Sequence, residues 1–170
     1  MNHEQATASL RAALVSLYGA VAGFVRSDWP AVELMSSDLR AALDCADEVL
    51  IIVALATLKC LEEAAEADQQ TTTSSTAARE TLSIARALST SASPAIVNSA
   101  AWRLDALRRG DHVAAADDLV RSRRLGPEAE LVHGSIALLA AVVTRHALRT
   151  GRAPHSLASE LCLAAARTPE

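Results

Sequence analysis

The stretch Glu48-Val-Leu-Ile-Ile-Val-Ala-Leu-Ala-Thr57 holds eight consecutive apolar residues, Val49 to Ala56, with no polar side. Taken alone, Val49 to Val53 fits a buried strand as well as a helix, because periodicity does not separate the two over so short a span. The flanking sequence decides for helix. Leu39, Leu43, Ala46, Leu50, Val53, Thr57, Cys60 and Ala64 recur at alternating steps of four and three, the spacing of a single helical seam. The reading is one helix from a cap among Ser36, Ser37 and Asp38 to about Ala67. Arg40, Asp44, Asp47 and Glu48 make its other side polar before the apolar run, and Glu62, Glu63 and Glu66 do so after it. Within the run Ile51, Ile52 and Leu55 turn that side apolar as well, and a helix apolar all round has to be covered all round. These three are the candidate protein-interface residues.

A second run of eight, Ile136-Ala-Leu-Leu-Ala-Ala-Val-Val143, is the natural mate of the first. Around this pair the other helices follow from stripes and stop signals. Leu10, Leu14, Leu17 and Val21 mark a helix over Glu4 to Phe24, broken at Ser27-Asp28-Trp29-Pro30. Proline disfavours helix in the residue before it, so Trp29 is expected in an extended corner with its ring over the end of the core. The polar tract Gln69 to Thr76 reads as an exposed loop. Beyond it, helices are expected over 77–88, with Leu82, Ala85 and Leu88 inward, then 94–109, 111–124, 128–148 and 154–167, the last carrying Leu157, Leu161 and Leu163. Pro94, Gly110, Asp111, Gly126-Pro127 and Gly151 punctuate this series. The expected fold class is all-α, a compact bundle of six or seven helices with 38–67 and 128–148 central. It forms one domain over 1–170, its subassemblies 1–68 and 77–170 joined by the loop 69–76.

Composition agrees with that class. Hydrophobic residues make up 51% of the 170 and aromatics only 2%, so the core is built from small aliphatic side chains that favour close helix packing over a sheet. The formal net charge of −4 divides unevenly: through Thr76 the chain carries −7, and the remainder carries +3. Cys45, Cys60 and Cys162 are odd in number and widely spaced, which argues against a disulfide framework and for a reducing compartment. Ala12 to Val25 imitates a signal peptide, but Glu4 precedes it, Arg11 is its one basic residue, and Gly19 and Gly23 interrupt it. Glu48 and Lys59 close the longest apolar run well short of the roughly 18 residues of a membrane span. A cytoplasmic chain without a membrane span is expected.

Tests for chemistry end without a site. Glu130-Leu-Val-His133 has the Glu-x-x-His step of di-iron bundles, but no second copy supplies the other half. His133 and His146 stand about 220° apart around their helix and do not share a metal. Cys60 beside Lys59 has no assigned base and lies on the seam expected to be buried, so it reads as a core thiol. No nucleophile elbow, phosphate-cradling glycine loop or dinucleotide fingerprint occurs. No catalytic residue, metal or cofactor is expected.

The basic residues of the second half gather on one hairpin: Arg103, Arg108, Arg109, Arg121, Arg123 and Arg124 are the candidate phosphate-contacting residues. Ala106 and Gly110 stand at the small-residue positions of a helix-turn-helix, but Asp105, Arg109 and Asp111 occupy places that motif fills with apolar side chains. Asp117 and Asp118 interrupt the basic strip, and no aromatic interleaves it. Over 95–127, Gly110-Asp111-His112, Ala115, Ser122 and Pro127 fall where a tetratricopeptide repeat has its inter-helix turn, its small packing residues and its closing proline. This segment resembles a single such repeat, and the resemblance implies a similar αα-hairpin, without the array of about three units that such folds need.

The function expected from all this is non-enzymatic: a helical interaction or adaptor domain that binds a protein partner or self-associates as a homodimer through Ile51, Ile52 and Leu55. One alternative is a regulator that touches nucleic acid through the Arg hairpin 103–124, and another is an apolar-ligand-binding bundle.

Overall fold

The structure is a computed structural model that describes residues 3–68 and 74–167, and among them it is all helical. Eight helices follow one another: α1 (His3–Arg26), α2 (Trp29–Ala42), α3 (Ala46–Asp68), α4 (Ser74–Leu88), α5 (Pro94–Arg108), α6 (His112–Ser122), α7 (Glu128–Arg149) and α8 (Pro154–Arg167). The expected count of six or seven is too low because the helix read over 38–67 is two helices. Leu43 is extended at φ −122°, ψ 144°, and the Glu48 carboxylate accepts from the backbone N–H of Asp44 at 2.8 Å and of Cys45 at 3.3 Å. A glutamate three residues into a helix that reaches back to the preceding N–H groups is a helix-starting device, and here it overrides a seam that runs through the break.

The Trp29 expectation is corrected as well. Asp28 caps α2 through its Oδ1, which accepts from Ala31 N–H at 3.2 Å, and Pro30 sits in the first turn, where its missing N–H costs nothing. Trp29 thus opens a helix. Its ring packs over the core end as expected, edge-on to Phe24 at 5.7 Å between centroids and stacked on His133 at 6.3 Å. The corner before it is tight. Ser27 takes φ +56°, its N–H donates to Phe24 at 3.1 Å, and Asp28 N–H donates to Gly23 at 2.9 Å. This is the left-handed helix stop that Gly110 and Gly151 make after α5 and α7, with serine in glycine's place.

α7 is the hub. It touches α1, α3, α4, α5 and α8, and every residue from Gly134 to Val143 is buried. α3 is not central in that sense: it packs on α7 and α5 and leaves one side open. α1 lies between α2 and α8 with α7 beneath it, tied to α8 by Arg26 donating to Ser159 Oγ at 3.2 Å. One apolar cluster joins α1, α2, α3, α5, α7 and α8, and a smaller one lies where α4, α5 and α7 meet. The expected inward stripes have outward ends, since Leu10 and Leu163 are exposed. Of the tract 69–76, residues 69–73 lie outside the described residues, and α4 already begins at Ser74.

By length and composition alone, Glu4–Arg26 and Glu128–Arg149 are each apolar enough to cross a membrane. The runs counted in the sequence are shorter because they stop at the first polar residue, Ser135 and Thr144 for the second run and Glu48 and Thr57 for the first. Within the fold, 78% of the α7 window is buried and 50% of the α1 window. A core helix of a bundle meets the same criterion.

Candidate interaction surface

α3 has two unlike sides. Leu50, Val53, Thr57, Cys60 and Ala64 are buried, as the seam requires. Behind them the Cys60 thiol meets the Tyr18 hydroxyl of α1, and burial pushes the thiol up to about 11 and the phenol up as well. A thiol in that state is a packing group and a poor nucleophile.

On the opposite side Ile51 is 43% exposed and Leu55 50% exposed, one helical turn apart and therefore neighbours. Ile52, expected with them, turns partly inward and packs on the main core. The structure thus brings Ile51 and Leu55 together on the open face and sets Ile52 at its edge. Exposed acids bracket the pair, Asp44 and Glu48 at one end, Glu62, Glu63 and Glu66 at the other, with Lys59 the one exposed base between.

The six arginines of the hairpin do not form one basic patch. Arg103 is buried: its Nε donates to Asp118 Oδ2 at 2.9 Å, and Ser99 Oγ donates to the same carboxylate at 2.9 and 3.0 Å. This cluster locks α5 to α6 and removes Arg103 from the surface, which corrects its assignment as a phosphate contact. Arg108 and Arg109 pair with Asp105 on their own helix. Arg123 reaches across to Asp47 of α3, and that carboxylate raises the pKa of the guanidinium. Arg121 and Arg124 are exposed and have no carboxylate partner among the described residues.

One surface escaped the sequence reading. α6 packs chiefly on α5 through Ala115, Asp118 and Ser122, and its outer side shows Val113 at 75% and Val120 at 66% exposure, with Ala116 between them. The steps of three and four from Val113 through Ala116 to Val120 were legible as a stripe; burial of Asp118, a carboxylate, is what turns that stripe outward.

His133 of the Glu-x-x-His step sits against Phe24 at 4.6 Å and Trp29, with Ser91 Oγ 3.2 Å from Nε2. Burial lowers its pKa, opposed by Glu130 and Glu33. Among the described residues no group of three or more His, Cys, Asp or Glu is placed to hold a metal ion. Between α3, α5 and α7 a cavity of about 10 Å³ is lined by Thr57, Arg103 and Ser135, whose hydroxyl has no hydrogen-bond partner among the described residues. It has room for about one water molecule, whereas small-molecule sites run to hundreds of Å³. Comparison with protein families, with curated proteins and with solved structures finds no match.

Proposed function

We propose that this chain is a non-enzymatic helical interaction domain that binds a protein partner, or itself, through the outer face of α3. The carrying observation is the side-by-side exposure of Ile51 and Leu55 on a helix whose other side is sealed in the core. Aliphatic knobs spaced one turn apart between charged flanks suit a partner helix laid along them, the apolar contact giving affinity and the charges giving orientation. Ile52, at the edge of the face, serves both the core and the contact. The α5–α6 hairpin, read as similar to one tetratricopeptide unit, braces the neighbouring side. The three free thiols suit a reducing, cytoplasmic setting.

The nucleic-acid reading draws less support, since four of the six arginines already face carboxylates. The apolar-ligand reading draws on the one-water cavity and on an open groove of about 460 Å³ between α4 and α7, whose lining of Glu80, Ser83, Ile84, Arg145, Leu148 and Arg149 is half charged.

A photo-crosslinking residue at position 51, with a second at the exposed position His155 of α8 as control, tests the proposal in extract of the native cell. The expected result is a defined adduct from position 51 that disappears when Leu55→Asp is added, while the helical circular dichroism is unchanged. Equal labelling from both positions, or an adduct indifferent to Leu55→Asp, overturns it.

A further inference from the structure

Building on the reading of α3 as a docking face, we propose that the partner is a second copy of this chain, with α3 of each protomer seated on the outer side of the partner's α6. The two faces are opposites in charge and alike in grain. On α3, Ile51 and Leu55 lie between acids at both ends, Asp44 and Glu48 before, Glu62 and Glu66 after. On α6, Val113, Ala116 and Val120 lie between arginines at both ends: Arg108 and Arg109 at the hairpin turn, each paired with Asp105, and Arg121 and Arg124 past the last valine, which carry the positive charge of the face. Each face also carries exposed charge of the other sign, Lys59 on α3, and Asp117 with the N-cap Asp111 on α6.

Arg121 and Arg124 are the two arginines of the hairpin left without a carboxylate among the described residues, and the acids around Ile51 and Leu55 are their complement. The fold already uses this attraction within one chain, where Arg123 meets Asp47. That pair sets the end of α6 beside the start of α3, and in the proposed dimer a two-fold axis passes through this region, each α3 meeting its partner's α6 in two equivalent contacts. Such an arrangement closes as a dimer, whereas a one-way contact between the same faces would continue into a filament. Two α3 faces set against each other would instead oppose acid to acid.

Sedimentation equilibrium and native mass spectrometry of the full chain test the pairing. Wild type is expected to dimerise, more weakly as salt rises. Glu62→Arg/Glu66→Arg and Arg121→Glu/Arg124→Glu are each expected to weaken the homodimer by at least about tenfold, since like charges then face each other. Mixing the two variants restores both contacts and is expected to give a one-to-one heterodimer, which also shows that both are folded. A wild type monomeric at several hundred micromolar overturns the second copy as occupant and leaves the α3 face for another protein. A dimer lost with Ile51→Asp but indifferent to Val120→Asp, or a mixture that stays monomeric, overturns the seat on α6 alone.

Discussion

Arg103 Nε and Asp118 Oδ2 lie 2.9 Å apart with 4% and 11% of their side chains exposed, so a full ion pair is held between α5 and α6 almost out of reach of water. Such a pair tolerates replacement of both members far better than loss of one. Asp118→Ala strands a buried guanidinium and the Ser99 hydroxyl, and is expected to cost about 3–5 kcal/mol in urea unfolding. The double change Arg103→Met/Asp118→Leu removes both charges and is expected to recover most of that loss. A cost below about 1 kcal/mol for Asp118→Ala would mean that water reaches the pair.

The three left-handed helix stops differ in residue, and their substitutions are expected to differ in sign. Ser27 holds φ +56° against the clash of its own Cβ, so Ser27→Gly should raise stability by up to about 1 kcal/mol. Gly110 and Gly151, at φ +73° and +67°, have open space around them, so Gly110→Ala and Gly151→Ala should lower it by about 1 kcal/mol through backbone strain alone. Thermal melts of the three variants decide the matter, and a common sign would contradict it.

Gly134 and Gly19 both lie inside helices, where alanine is intrinsically favoured by about 1 kcal/mol. A Cβ on Gly134 would meet Ile96 Cγ2 at 2.7 Å and Ala92 Cβ at 3.3 Å, neither free to withdraw, so Gly134→Ala should destabilise by about 1–3 kcal/mol. A Cβ on Gly19 meets Met35 Sδ at 2.8 Å, the far end of a flexible chain, and Gly19→Ala should be close to neutral. Denaturation midpoints of the two variants measure the contrast.

His133 makes stability depend on pH. Burial against Phe24 and Trp29 lowers its pKa below the ordinary 6.5, so the unfolded chain binds the proton more readily than the folded one. Stability from this group is full above 6.5, falls as the pH drops through 6.5, and levels off below the folded value. Unfolding free energies at pH 7.5 and 5.5 should therefore converge in His133→Gln relative to wild type; an unchanged difference would show that other groups carry it.

Thiol reactivity should rank by burial. Cys45 is exposed and Cys60 is buried with its pKa raised to about 11, so a thiol reagent at pH 8 should modify Cys45 at once and Cys60 only when the fold opens. Mass-resolved labelling with time gives the order, and early modification of Cys60 would place it outside the core.

The class of fold was open to reading because it rests on runs and stripes: the buried seam of α3 and the enclosed face of α7 follow directly from residue spacing. What escaped depends on contacts between elements distant in sequence. The break at residues 43–45 hid because Leu43 keeps the heptad step, although Glu48 three residues beyond Cys45 is the capping signal that marks it. Pro30 was read as ending a helix when, behind a capping Asp28, it begins one. Arg103 was grouped with surface arginines because a sequence gives no sign that Asp118 waits fifteen positions on in a dry corner. The candidate surface was half legible: Ile51 and Leu55 stand out because they interrupt a polar side, whereas Val113 and Val120 point outward only because a buried carboxylate takes the place facing α5.

The hub of the bundle is also made after most of the helices it joins. As the chain leaves the ribosome, α1 to α6 emerge before the rod that five other helices share, and at ordinary elongation rates the apolar side of α3 waits several seconds for it. During that interval the nascent chain offers unsheltered aliphatic stripes of the kind chaperones hold, so yield in the cell should respond to translation speed over residues 69–149 more than to any change in the finished molecule's stability.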